Sequence, residues 1–285
     1  MALSASHTAS HTPATTLLRR PTALFQGYGL DLDGTVYLDN AILPGAAEAI
    51  AAMRAGGARV VFVTNKPLET GDAYAAKLTR LGVPSTVADI VTALDSLILY
   101  LTKHHPSARL LTVAEPLVGY VCVRAGFEIV TTPHEADVVV VSFDRTFDYA
   151  KLLAAYRAVR NGAVIIATNP DPYCPTADGG LPDCAAMLAA VEACTGQKAE
   201  AIVGKPSQHM GDAVLSRLGV PPGHAAMVGD RLATDVAMGQ SLGMAGILVL
   251  SGATSLDDVR NGDVRPDYVV PSLADVVPSL HQEAK

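Results

Sequence analysis

Six short, predominantly apolar runs, at residues 60–63, 110–113, 138–141, 164–167, 225–228 and 247–250, recur along this chain with longer amphipathic, Ala-rich stretches between them. Each run is too short for a helix and most are rich in β-branched side chains, so each reads as a strand buried on both faces. Strands of that kind belong to parallel sheets, because crossover helices are what cover both faces. The intervening segments carry helix punctuation. Residues 44–55 open on Pro44 and stop at Gly56-Gly57, and residues 207–218 open on Ser207, a capping residue, and stop at Gly219. The fold class expected is α/β, with a Rossmann-like, doubly wound parallel sheet.

The rest of the chain bounds the partners. Its 285 residues are 49% hydrophobic and 17% charged, enough to bury one large core or two modest ones. A formal net charge of −7 argues against nucleic acid and against an acidic membrane surface as partners. No apolar stretch approaches the ~18 residues of a membrane span. Cys122, Cys174, Cys184 and Cys194 show no metal-ligand spacing, and the histidines have no ligand-spaced partner, so no zinc site is expected. A chain of this length needs no disulfide staple, which fits a reducing cytoplasm. Residues 1–21, rich in Ser, Thr, Ala and His, have no apolar period and read as a flexible tail. With only Arg19 and Arg20 as basic residues, the tail makes a weak import peptide.

In open parallel sheets, ligands gather beyond the carboxyl ends of the strands, so polar residues directly after apolar runs are the first candidates for chemistry. Four places qualify. Leu30-Asp31-Leu32-Asp33-Gly34-Thr35 sets two carboxylates one residue apart ahead of a glycine able to turn sharply. Two buried acids repel unless a cation compensates, which points to a divalent metal; a turn with capping aspartates is the plainer reading of these residues alone. Thr64-Asn65 offers a hydroxyl and an amide that suit phosphate oxygens and suit an ordinary loop equally. Lys205, in Gly204-Lys205-Pro206, is by itself a solvated lysine, and Asp230, in Gly229-Asp230-Arg231, is by itself a helix cap, with Asp235 further along that helix.

Taken in order, these four segments resemble the four motifs of the haloacid-dehalogenase superfamily of phosphatases, over nearly the whole chain after residue 21. The resemblance implies that Asp31 attacks phosphorus to form an aspartyl-phosphate, and that Asp33 protonates the leaving oxygen and then deprotonates water. It implies Mg²⁺ as cofactor, held by the carboxylates of Asp31 and Asp230 and the main-chain carbonyl of Asp33, with Asp235 orienting metal-bound water from behind. Thr64 and the main chain of Asn65 are then phosphate-binding, Lys205 offsets negative charge, and Arg231 is expected in a structural ion pair. The expected partner is a small phosphorylated metabolite.

The separation of Asn65 from Lys205 exceeds what the core sheet needs, so residues 104–199 are read as an inserted cap domain and residues 22–103 and 200–285 as the core. An insertion between the second and third motifs is similar to the large α/β cap of the NagD and p-nitrophenylphosphatase-like subgroup, which implies a possible homodimer through the cap. Within it, Asn169 to Asp183 forms a Pro- and Gly-rich loop that resembles the subgroup's specificity loop, placing Tyr173 and Cys174 to face substrate, with loop packing the alternative for both. Asp183-Cys184-Ala185 departs from the Gly-Thr-Gly of phosphoglycolate and pyridoxal-phosphate enzymes and is more similar to sugar phosphatases. Lys66-Pro67 also departs from the subgroup, and Lys66 either adds charge near the phosphate or faces solvent. Phosphoglycolate, pyridoxal-phosphate or nucleotide hydrolysis, phosphotransfer, and a catalytically silent binding protein on the same fold are the rival expectations. A receiver-type signalling domain would be smaller and would not need Asp33. Gly27-Tyr28-Gly29 lacks the third glycine of a dinucleotide site, and Gly204-Lys205-Pro206 lacks the residues of a P-loop.

Overall fold

The computed structural model describes residues 17–174 and 180–278. A six-stranded parallel sheet runs in the spatial order Tyr268–Val270, Ala245–Val249, Ala225–Gly229, Gly27–Asp31, Arg59–Thr64, Ile90–Thr92. The chain enters at Gly27–Asp31, whose five residues are all buried, and works outward to one side through Arg59–Thr64. It returns on the other side at Ala225–Gly229, and that reversal opens a crevice beyond the carboxyl ends of these two strands. Successive side chains serve opposite faces, as strand geometry requires. Tyr28, Leu30, Val60, Phe62 and Val228 pack with the helices Ala46–Ala55 and Gly71–Arg80, while Val61, Val63 and Met227 pack with Gln208–Leu218 and Ala237–Ser241. The core is therefore doubly wound, as expected.

All six apolar runs are strands, and Gly27–Asp31, Ile90–Thr92 and Tyr268–Val270 complete the large sheet around three of them. The helix expected from Pro44 begins at Ala46, because Gly45 takes the left-handed conformation at φ 73° and breaks the first turn. Ser207 caps the helix Gln208–Leu218 by accepting from the His209 amide at 3.1 Å, and Gly219 ends it at φ 65°.

A second parallel sheet, in the order Ala201–Ile202, Val164–Ala167, Val138–Val141, Arg109–Val113, Glu128–Ile129, forms between Asn65 and Lys205. The helix Ala93–His104 buries Leu94, Leu97, Tyr100 and Leu101 against this sheet. A boundary at 103/104 thus separates the helix from the sheet on which it packs, and a boundary at 199/200 cuts off Ala201–Ile202 from the strands it extends.

Of residues 1–21, the first sixteen lie outside the described residues. Arg19 and Arg20 do not behave as a tail. Arg19 exchanges main-chain hydrogen bonds with Val269 at 2.9 and 3.0 Å, and Arg20 pairs with Asp275 at 2.6 Å, so the edge of the large sheet fixes them. None of the four cysteines is in a disulfide. No helix among the described residues is long and apolar enough to cross a membrane.

Candidate active site

Asp31 ends the central strand, and the chain then turns on the Leu32 carbonyl, which accepts from the amides of Thr35, Val36 and Tyr37 at 3.2, 2.9 and 3.2 Å. Gly34 adopts φ 84° in that turn, a region that other residues reach only with strain. The turn leaves Asp31 buried and Asp33 at the cavity wall.

Lys205 crosses from the second sheet's exit into this crevice and is 3% exposed. Its ammonium donates to Asp31 Oδ1 and to the Val63 carbonyl at 3.4 Å, and forms an ion pair with Asp235 Oδ1 at 2.7 Å. Asn65 locks it there. The Asn65 Oδ1 accepts from the Lys205 amide at 2.7 Å, and its Nδ2 donates to the Lys205 carbonyl at 3.1 Å and to Asp171 Oδ2 at 2.9 Å. The Asn65 side chain is thereby consumed in holding other residues, and its main-chain carbonyl accepts from Asn169 Nδ2 at 3.2 Å. Thr64 Oγ1 accepts from the Lys66 amide at 3.1 Å and keeps its own proton to donate.

Asp230 follows the neighbouring strand, and its Oδ2 accepts from the Ala253 amide at 2.6 Å. Behind it, residues Leu232–Val236 form a π-helical turn, closed by the Val236 amide on the Arg231 carbonyl at 3.3 Å. That wider turn brings Asp235 back under the strand end, where its Oδ2 accepts from the Arg231 amide at 3.1 Å. A Cβ on Gly229 would stand 2.2 Å from Asp235 Cγ, so only glycine permits this approach.

Asp31, Asp230 and Asp235 each place a carboxylate oxygen within 4.8 Å of the other two, and all three are buried. One ammonium cannot balance three carboxylates in a poorly hydrated crevice. Burial pushes Asp31 well above the usual carboxylate range despite Lys205, with Asp235 and Asp230 adding to the rise. Asp230 is pushed up to about 6, by burial first and Asp235 next. Burial works against the charge on Lys205, but Asp235 and Asp31 outweigh it and hold the lysine above its ordinary value. The surplus of buried anionic oxygen fits a hard divalent cation. Asp235, with both oxygens engaged by Lys205 and Arg231, is suited to an outer position, whereas Asp31 and Asp230 line the cavity.

The cap closes the cavity from above. Tyr173 and Cys174 line it as the loop resemblance implies, together with Asp171 and Asp183, to which no role was attached from sequence. Cys174 is buried, and Tyr173 is 43% exposed. Arg231 forms no ion pair among the described residues. It lies 5.2 Å from the centre of the Tyr173 ring and donates to the Tyr173 carbonyl at 3.4 Å, so it joins core to cap through an aromatic face. Lys66 faces the cavity, with Nζ 3.4 Å from Asp33 Oδ1. Asp171, Asp183 and Lys66 are solitary polar residues in loops, and no local spacing marks them.

Asp183 makes a measurable prediction. It caps the helix Cys184–Thr195, accepting from the Cys184 amide at 2.6 Å, and burial raises it to about 6, against the lowering effect of that amide. A carboxyl raised in the folded state favours folding below its ordinary pKa near 4, and that contribution disappears as pH climbs through about 6. The full effect is roughly 3 kcal/mol. Melting temperatures of wild type and Asp183→Asn should therefore diverge between about pH 4 and pH 7, with the variant gaining as pH rises. Parallel curves would show Asp183 ionised without cost.

Comparisons with known proteins agree with this geometry. A family model described as haloacid dehalogenase-like hydrolase matches residues 28–128, and another described as HAD-hydrolase-like matches residues 202–276. The sugar-phosphatase AraL of Bacillus subtilis (strain 168) is 35% identical over 250 residues, covering 88% of this chain and 91% of its own. The glycerol-3-phosphate phosphatase of Homo sapiens is 33% identical, covering 88% of this chain and 89% of its own. The crystal structure of a 4-nitrophenylphosphatase from Thermotoga maritima superposes with a TM-score of 0.83 at 35% identity, covering 88% of this chain and 96% of that one.

Proposed function

This chain belongs to the haloacid-dehalogenase-like hydrolases and is a NagD-like phosphatase, and from that premise we propose that it hydrolyses small sugar or polyol phosphates through an aspartyl-phosphate on Asp31. The observation that carries the reading is the placement of Asp31 in a crevice roofed by the cap, with Lys205 on one oxygen and Asp230 beside it.

In this reading Asp31 forms a bond to phosphorus as the ester bond to the leaving oxygen breaks, and Asp33 gives that oxygen its proton. Water then attacks the aspartyl-phosphate, Asp33 takes a proton from it, and the Asp31 carboxylate is regenerated. Lys205 keeps Asp31 oriented and offsets charge that builds on the phosphoryl oxygens, which Thr64 and the Asn65 main chain receive. Asp31, Asp230 and the Asp33 carbonyl would hold Mg²⁺, which supplies Lewis-acid stabilisation of the phosphoryl group.

Selectivity falls to the cap. Tyr173, Cys174, Asp171 and Asp183 line the same cavity from the cap and would meet the leaving group. Two carboxylates suit a leaving group with hydroxyl donors and repel one that carries a carboxylate of its own. The names of the relatives, a sugar phosphatase and a glycerol-3-phosphate phosphatase, support the same class. A phosphate-release panel tests it: sugar phosphates and glycerol phosphate should exceed phosphoglycolate, pyridoxal phosphate and nucleotides in kcat/KM. A preference for phosphoglycolate would overturn the assignment of the roof.

A further inference from the structure

Lys66 stands between the two halves of the site. Its ammonium is 3.4 Å from Asp33 Oδ1 on the core side, and the buried Cys174 of the cap loop lines the same cavity beside it. Its main chain is fixed as well, with the amide on Thr64 Oγ1 at 3.1 Å and the carbonyl accepting from the Tyr74 hydroxyl at 2.9 Å. The side chain is only 27% exposed, so it does not reach out to solvent as a lone lysine would.

The geometry points to Lys66 as a positioning residue for proton transfer: it commits one oxygen of Asp33, so that the proton for the leaving group rides on the other, and the cap loop holds it in place through Cys174. An oxygen that accepts from an ammonium is a poor place for a proton, which therefore belongs on Oδ2. When the phosphorus–oxygen bond to the leaving group breaks, the Oδ2 proton moves to the leaving oxygen and Asp33 is left as a carboxylate beside Lys66. In the second step, water gives a proton back to Oδ2 as its oxygen bonds phosphorus and the bond from Asp31 to phosphorus breaks. A carboxyl that rotated freely would spend part of its time with the proton turned away, and misplacement by about 1 Å costs proton transfer heavily. The inference rests on the role of Asp33 proposed above.

Leaving-group dependence separates the possibilities. An alkyl ester such as glycerol phosphate needs a proton on its departing oxygen, whereas 4-nitrophenyl phosphate releases a stable anion and needs little help. At one fixed pH with Mg²⁺ present, Lys66→Met should lower kcat on the alkyl ester about tenfold more than on the aryl ester. Lys66→Arg should recover most of that ratio, because a guanidinium still donates to a carboxylate oxygen. Cys174→Ala should shift the ratio the same way by a smaller factor. Equal losses on both esters in Lys66→Met, or a raised KM with an unchanged kcat ratio, would make Lys66 a substrate-binding residue and overturn the inference. An unchanged ratio in Cys174→Ala would overturn the part assigned to the cap loop. Asp33→Asn serves as the control: if it too fails to distinguish the esters, the role of Asp33 itself is wrong; if it distinguishes them and Lys66→Met does not, only Lys66 is misassigned.

Discussion

Asp31→Asn should lower phosphate release by on the order of 10⁴-fold or more, because an amide oxygen cannot replace the carboxylate as nucleophile. The protein should remain folded. Asn is nearly isosteric with Asp, and Lys205 would keep Asp235 as an ionic partner at 2.7 Å, so no buried ammonium is left bare. The variant also removes one of three crowded carboxylates, which further favours the fold. Steady-state assays and a thermal melt, run together, separate the two effects. Acid-quenched wild-type enzyme should carry a phosphoryl group on the peptide that contains Asp31, and the variant should carry none. Wild-type kcat in pure Asp31→Asn protein would place the nucleophile elsewhere.

Removal of divalent metal should cost about 10³-fold or more in turnover, since a Lewis acid on the phosphoryl group is worth several kcal/mol. The effect should also appear without substrate. Asp31 and Asp230 are both held above the carboxylate range by burial and by the neighbouring Asp235, so a bound dication relieves a cost that the folded apo-protein carries. Adding Mg²⁺ to chelated protein should raise its melting temperature and restore activity at similar concentrations. In Asp230→Asn both responses should weaken, because one of the anionic ligands is gone. Full turnover in excess chelator, or a melting temperature that ignores Mg²⁺, would contradict a metal at this site.

Much of this architecture is legible before folding. The six apolar runs all became strands because a segment buried on both faces has to be continuously apolar, and such runs are visible without knowing their neighbours. Ile90–Thr92 was not visible, since three residues carry no period and Thr92 at once begins the next helix as its cap. Tyr268–Val270 is equally short and depends on pairing with Ala245–Val249. The helix Ala93–His104 shows the limit differently. Its amphipathic pattern announces an apolar face but not which sheet that face will meet, and Leu94, Leu97 and Leu101 meet the second one.

The site divides along the same line. Asp31, Thr64 and Asp230 each end or follow a strand of the six-stranded sheet, and a parallel sheet gathers such strand ends at one edge regardless of the details of packing, whereas Lys205 leaves the second sheet and joins them only when the two sheets meet. What they do to one another was decided by tertiary contact. Asn65 turned out to grip the Lys205 peptide, Asp235 reached Lys205 through a π-turn that needs Gly229, and Arg231 found the Tyr173 ring in place of a carboxylate. Asp171 and Asp183 came into the cavity only because the cap loop folds over the core, where Asn65 donates to Asp171 across the chain and Lys66 already stands beside Asp33. Strand ends are a periodic, local property that a linear sequence records. The charge balance, burial and pairing of side chains from separate loops arise only when two sheets close on each other and exclude water, and no stretch of sequence contains that event.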